Sequence, residues 1–138
     1  MADKIRLRVV TPSRLLIDEE VDEVTAPGAL GEFGVLPNHI SFLTLLEPGE
    51  MSYKQGMAKH FLAVSGGYAE VLDNVMTVLA DAAEYADAID LDRARQVRDQ
   101  AVRSMEQLNP EEKEYAAAQA ARRWAEVQVQ VGGREAGK

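Results

Sequence analysis

Apolar and polar residues alternate with period two through most of the first eighty positions. Ile5, Leu7 and Val9 form one such string; Phe61, Ala63 and Val64 running into Ser65 form a second; Val75, Thr77 and Leu79 form a third. That period marks half-buried strands, because successive side chains of an extended backbone point to opposite faces. Turn chemistry separates the strings: Thr11-Pro12-Ser13, Pro27-Gly28, Pro37-Asn38, Pro48-Gly49, Gly66-Gly67 and Asp73-Asn74. Short strands at such regular spacing predict an antiparallel sandwich or barrel.

The period changes after Ala86. Leu91, Ala94, Val97, Ala101, Met105 and Leu108 recur every three or four residues, with Asp90 at the N-cap position and Arg93, Arg95, Arg98 and Arg103 on the remaining faces. That is one helical stripe. Asn109-Pro110-Glu111-Glu112 reads as the start of a second helix, with an N-cap, a proline at the first helical position and carboxylates toward the positive end of the dipole. This helix is expected to carry a stripe of Ala117, Ala120, Ala121, Trp124 and Val127, to place Arg122 and Arg123 toward its carboxyl end, and to stop by Gly132-Gly133. Residues Val127 to Val131 alternate like a strand and leave its end open.

So short a connection predicts an antiparallel hairpin. Its alanine seam allows close approach but buries little area, so bulky packing falls to Leu91, Met105, Leu108 and Trp124 and weak docking is expected. The expected fold class is α+β: an N-terminal antiparallel β-sandwich or barrel over residues 1–86, then a C-terminal two-helix antiparallel hairpin over 87–138.

Composition narrows the function. The 138 residues are 46% apolar, enough for one modest core, and the formal charge of −8 argues against nucleic acid as a partner. The acidity is uneven, with six Lys and Arg against thirteen Asp and Glu through residue 86 and nine against ten thereafter. There is no cysteine, which fits a reducing compartment, and no long apolar run, so a soluble, non-exported chain is expected. His39 and His60 have no carboxylate at metal-ligand spacing, no phosphate-loop lysine follows the glycines, and no serine sits in a nucleophile elbow. No catalytic residue, metal site or obligatory cofactor is therefore expected.

The stretch GALGEFGVLPNHISFLTLLEPG, Gly28 to Gly49, carries a G-x-x-G-E-[FL]-G-[VI]-x-P-x-H element followed by a leucine-rich strand and Pro-Gly. With Ser65 to Val71 (S-G-G-Y-A-E-V) and Val75 to Asp81, it resembles the epsilon subunit of bacterial F-type ATP synthases over nearly the whole chain. The resemblance implies a non-catalytic central-stalk rotor subunit of a proton-translocating ATP synthase. Its sandwich would couple the gamma subunit to the c-ring, and its helices would reach the alpha/beta catalytic hexamer and inhibit ATP hydrolysis. It further implies a peripheral membrane protein at the cytoplasmic face of the bacterial inner membrane.

By the same resemblance, Glu32 would face the polar loops of the c-ring and His39 the gamma subunit, turn stabilisation being the alternative for both. Leu30 stands where some relatives carry a further acidic residue. Ile89-Asp90-Leu91-Asp92-Arg93-Ala94 is similar to the I-D-x-x-R-A element of epsilon subunits that bind regulatory ATP, with Ile89, Asp90, Arg93, Ala94 and, further along, Arg122 as the nucleotide-binding residues. Gln100 and Glu126 stand where other ATP-binding relatives are basic. A plain capped helix start with an i,i+3 ion pair explains the same residues. A free-standing ATP-sensing module is the alternative function.

Overall fold

The structure, a computed structural model, describes residues 3–134; the outermost bounds of the two expected domains, 1–2 and 135–138, lie outside the described residues. Ten strands come first: β1 (Ile5–Thr11), β2 (Arg14–Val21), β3 (Glu23–Gly28), β4 (Gly31–Val35), β5 (Phe42–Leu46), β6 (Gly49–Gln55), β7 (Ala58–Val64), β8 (Gly67–Leu72), β9 (Val75–Ala80) and β10 (Ala83–Tyr85). A 3-10 turn over Ala86–Ala88 leads to α1 (Leu91–Gln107) and α2 (Lys113–Gly132). The strands follow the order β10-β7-β6-β3-β5-β8-β9-β1-β2, with β4 paired to β3. Pairing is antiparallel except between β1 and β9, which run parallel from Arg6 opposite Val75 to Val10 opposite Leu79.

The sandwich encloses Ile5, Leu7 and Val9 of β1 with Val24, Val35, Met51, Leu62, Val64, Val71, Met76 and Val78, all essentially inaccessible to solvent. On β9 the structure reverses the sequence expectation. Met76, Val78 and Ala80 point inward, while Val75, Thr77 and Leu79 form the outer face. Both alternating sets are largely apolar, so the period located the strand without choosing its buried side. The β8–β9 turn has Asp73 and Asn74 both at positive φ (50° and 63°), as a two-residue primed hairpin requires. Asn74 also bridges two other segments: its Oδ1 accepts from the Asn38 N–H at 2.7 Å and its Nδ2 donates to the Lys4 carbonyl at 2.8 Å.

The helices differ from expectation in three ways. First, α2 begins at Lys113, not at Pro110; Asn109 to Glu112 form a separate turn closed by the Glu112 N–H on the Asn109 carbonyl. Second, the Val127 to Val131 stretch is helical, and Val127 and Val131, four residues apart, share one buried face. Third, the alanine stripe is not the seam of the hairpin: Ala117 and Ala120 are exposed, and Trp124, Val127 and Val131 turn toward the sandwich, where they pack with Phe61, Ala63, Ala86 and Ile89. The arm therefore offers bulky apolar surface to a third element. β7 is covered on both faces as a result, Leu62 and Val64 by the sandwich core and Phe61 and Ala63 by α2.

Candidate functional site

One face of the sandwich keeps large apolar side chains in water. Register places Leu45 on β5 opposite Tyr68 on β8, Tyr68 opposite Leu79 on β9, and Leu79 opposite Val10 on β1, a row crossing four neighbouring strands. Leu45, Tyr68 and Leu79 are each about half exposed, and Leu43, one pleat along β5, is 68% exposed. The inward neighbours of these residues already fill the core, so the row contributes nothing to packing inside the monomer. Scattered exposed leucines need no explanation; a contiguous apolar row across four strands is a candidate docking surface.

Glu32 and His39 line one depression at the end of this face. The β3–β4 hairpin carries Leu30 at its tip, fully exposed, and Glu32 opposite Pro27. His39 follows Asn38, which sits at φ 64°, and the imidazole Nδ1 lies 2.8 Å from the Ile40 carbonyl oxygen while its ring is tilted against Phe42, centroids 5.1 Å apart. An open depression lined by Gly31, Glu32, Phe33, His39, Phe42 and Leu43 joins the two residues and runs into the apolar row at Leu43. Glu32 makes no side-chain hydrogen bond or ion pair among the described residues, whereas the His39 ring is held within its own turn by Ile40.

The nucleotide-motif residues are not gathered in one place. Asp90 caps α1, its carboxylate accepting from the Arg93 N–H at 3.1 Å, and Ala94 is buried. Ile89 and Leu91 pack on Gly132, where an added Cβ would lie 2.7 Å from the Leu91 side chain, so the start of α1 and the end of α2 are in close contact. Arg122 lies nearly three turns earlier on α2, paired with Glu126 at 3.5 Å. It lines a cleft with Pro48, Ser65, Ala82 and Trp124 that includes neither Asp90 nor Arg93. The capping geometry is therefore what the structure contains at the motif.

The titrating groups that are shifted all lie on the sandwich. A hydrogen bond from Arg6 holds the Asp18 carboxyl below its ordinary range, and one from Lys4, then the Gly56 N–H, does the same for Asp22. Burial, then the hydrogen bond to Tyr85, pushes the Tyr53 phenol far above its usual value, and burial raises Tyr85; their hydroxyls are 2.8 Å apart. None of these groups stands beside a nucleophile. Among the described residues no three His, Asp or Glu side chains converge on a metal position, and no helix is long and apolar enough to cross a membrane. Sequence reasoning missed the row of Leu45, Tyr68 and Leu79. Its signal was that both faces of β8 and β9 are apolar at those positions.

A ten-stranded sandwich with an apolar outer row and a two-helix arm defines a β-sandwich module built for docking. Residues 4–86 match the family described as the ATP synthase, Delta/Epsilon chain, beta-sandwich domain. The chain is 48% identical over 134 residues to the ATP synthase epsilon chain of Geotalea daltonii, each chain covered to 97%, and 47% identical to that of Geobacter metallireducens with both covered completely. The fold is shared with a chain of the Euglena gracilis mitochondrial ATP synthase OSCP/F1/c-ring assembly (TM-score 0.80, 25% identity, 95% of this chain and 82% of that one). It is also shared with a chain of the Tetrahymena thermophila central stalk and c-ring (TM-score 0.66, 15% identity, 94% and 97%). This chain belongs to the ATP synthase epsilon chain family. It is one subunit of a multi-chain ATP synthase, not an enzyme complete in itself.

Proposed function

We propose that the chain is the central-stalk clamp of a proton-translocating bacterial ATP synthase, joining the gamma subunit to the c-ring, with the helical arm as a brake on ATP hydrolysis. The observation that carries this reading is the continuity of the Val10, Leu79, Tyr68 and Leu45 row with the depression holding Glu32 and His39. An apolar row suits a long-lived protein interface, and the polar end with a carboxylate suits the short polar loops of a membrane ring. On this reading gamma lies along the row with His39 at its margin, Glu32 faces the ring, and the complex sits at the cytoplasmic face of the inner membrane as a peripheral assembly.

The arm would act when released. Docked, it engages Arg123 with Glu47 at 3.1 Å. Undocked, it would turn Arg123, together with Arg98, Arg103 and Arg122, toward acidic elements of the alpha/beta hexamer and hinder hydrolysis. Regulatory ATP at Asp90 and Arg93 is a further element of the proposal. The cap bond uses only the Arg93 backbone N–H, so the side chain that would meet phosphate is separate from it, and calorimetry of native chain against Arg93→Ala tests the proposal. The main reading is tested by co-purification: the chain should be retained with a gamma subunit, and recovery of the chain alone would overturn it.

A further inference from the structure

We propose that the arm is held down by a one-sided ionic clasp closed by Arg134, so that ionic strength sets how much of the arm is docked. This deepens the brake reading and rests on it only for its physiological use. Among the described residues, every side-chain hydrogen bond between the arm, from α2 to Arg134, and the sandwich has the same polarity. The sandwich offers carboxylates: Glu47 before β6, Glu50 within it and Glu84 on β10. The arm offers donors: Arg123 to Glu47 at 3.1 Å, Gln128 to Glu84 at 2.5 Å and Arg134 to Glu50 at 2.9 Å.

These three contacts surround the small apolar cluster of Trp124, Val127 and Val131 on Phe61, Ala63 and Ala86. Arg134 is the strongest of the three anchors for two reasons. Its guanidinium also lies over the Phe61 ring, 5.3 Å from the centroid, so one side chain engages both a carboxylate and an aromatic face. Glu50 is the least exposed carboxylate, at 17%, in any ion pair among the described residues, so its charge depends most on its partner for compensation. Lifting the arm leaves that half-buried carboxylate without its guanidinium. It also leaves three acidic groups on the face of the sandwich that α2 had covered, so the undocked sandwich is a surface that recaptures a basic helix.

The single tryptophan, Trp124, sits in the clasped cluster and reads docking directly. Emission of the isolated full chain should be measured from about 20 mM to about 500 mM salt, over which the screening length falls from roughly 20 Å to roughly 4 Å. Native chain should shift toward the spectrum of a solvated indole as salt rises. Arg134→Ala should show that shifted spectrum already at low salt with its helical circular dichroism retained, and the exchanged pair Glu50→Arg with Arg134→Glu should restore most of the native spectrum. Native emission in Arg134→Ala, emission flat across the salt range, or failure of the exchanged pair to restore it in a folded protein would each overturn the clasp. Those results would leave attachment to gamma untouched, and loss of gamma binding would leave the clasp untouched.

Discussion

Tyr68 on β8 stands directly opposite Leu79 on β9, and each leaves 52% of its surface in solvent although the partner strands are otherwise core-forming. Extended by Leu45 and Val10, this pair is the part of the sandwich whose side chains have no use within the monomer. A hydrophobic cross-strand pair left in water is a cost for a lone chain and an asset for one that spends its life in a complex.

The backbone at Gly67 should tolerate no side chain. Its φ is +136°, and a Cβ there would come within 2.0 Å of the Leu79 carbonyl oxygen, a backbone atom that cannot swing aside. Gly67→Ala is expected to lower stability by about 3 kcal/mol or more, read as the midpoint of a urea denaturation curve. An alanine at Gly133, where an added Cβ meets nothing, is the matched comparison and should cost little.

Acid should weaken the fold through Asp18 and Asp22. Both carboxyls are held below their ordinary value, so the unfolded chain takes up protons first as the pH falls; their contribution is complete above about pH 4 and is lost as pH drops through the folded values. Asp22→Asn should flatten part of the acid side of a melting-temperature profile. Tyr53 works in the opposite sense: its raised phenol contributes fully below about pH 10 and loses that contribution above it, as phenols of the unfolded chain ionise first. Tyr53→Phe should remove part of the alkaline decline.

Removal of the arm after Ala86 should leave a folded sandwich, because the main core draws on strands alone. The cost comes from uncovering Phe61 and Ala63, about 1–3 kcal/mol by exposed apolar area. Circular dichroism should retain the strand signal, melting should occur at lower temperature, and the reconstituted complex should hydrolyse ATP faster than with the full chain.

Strands and turns were legible in the sequence because period-two alternation and Pro-Gly, Gly-Gly and Asp-Asn punctuation follow directly from backbone geometry. The facing of β9 was not, since Met76 and Val78 on one side compete with Val75 and Leu79 on the other. Pro110 pointed to a helix start that the chain delays to Lys113, and the Val127 to Val131 alternation imitated a strand because a four-residue step is common to both periods. Glu32 and His39 were legible through a family motif and do share one depression. Asp90 and Arg122 were joined only by likeness to ATP-binding relatives, and the cleft that Arg122 lines does not include Asp90. The clasp carboxylates Glu47, Glu50 and Glu84 lie apart in sequence, and only the docking of α2 makes them a set.

Glu32→Lys should harm coupling more than folding. The side chain is exposed and lines an open depression, so reversing its charge is expected to shift the melting temperature little. Proton pumping driven by ATP in reconstituted vesicles should fall clearly. A large thermal loss with normal pumping would return Glu32 to a role in the turn.

The central claim is that the outer row of the sandwich binds the gamma subunit, and the most direct measurement is the affinity of purified gamma for the native chain and for Tyr68→Glu. The substitution places a charge in the middle of the row while leaving the core intact, so the folded variant should bind at least about tenfold more weakly. Unchanged affinity in a variant with native circular dichroism would contradict the account.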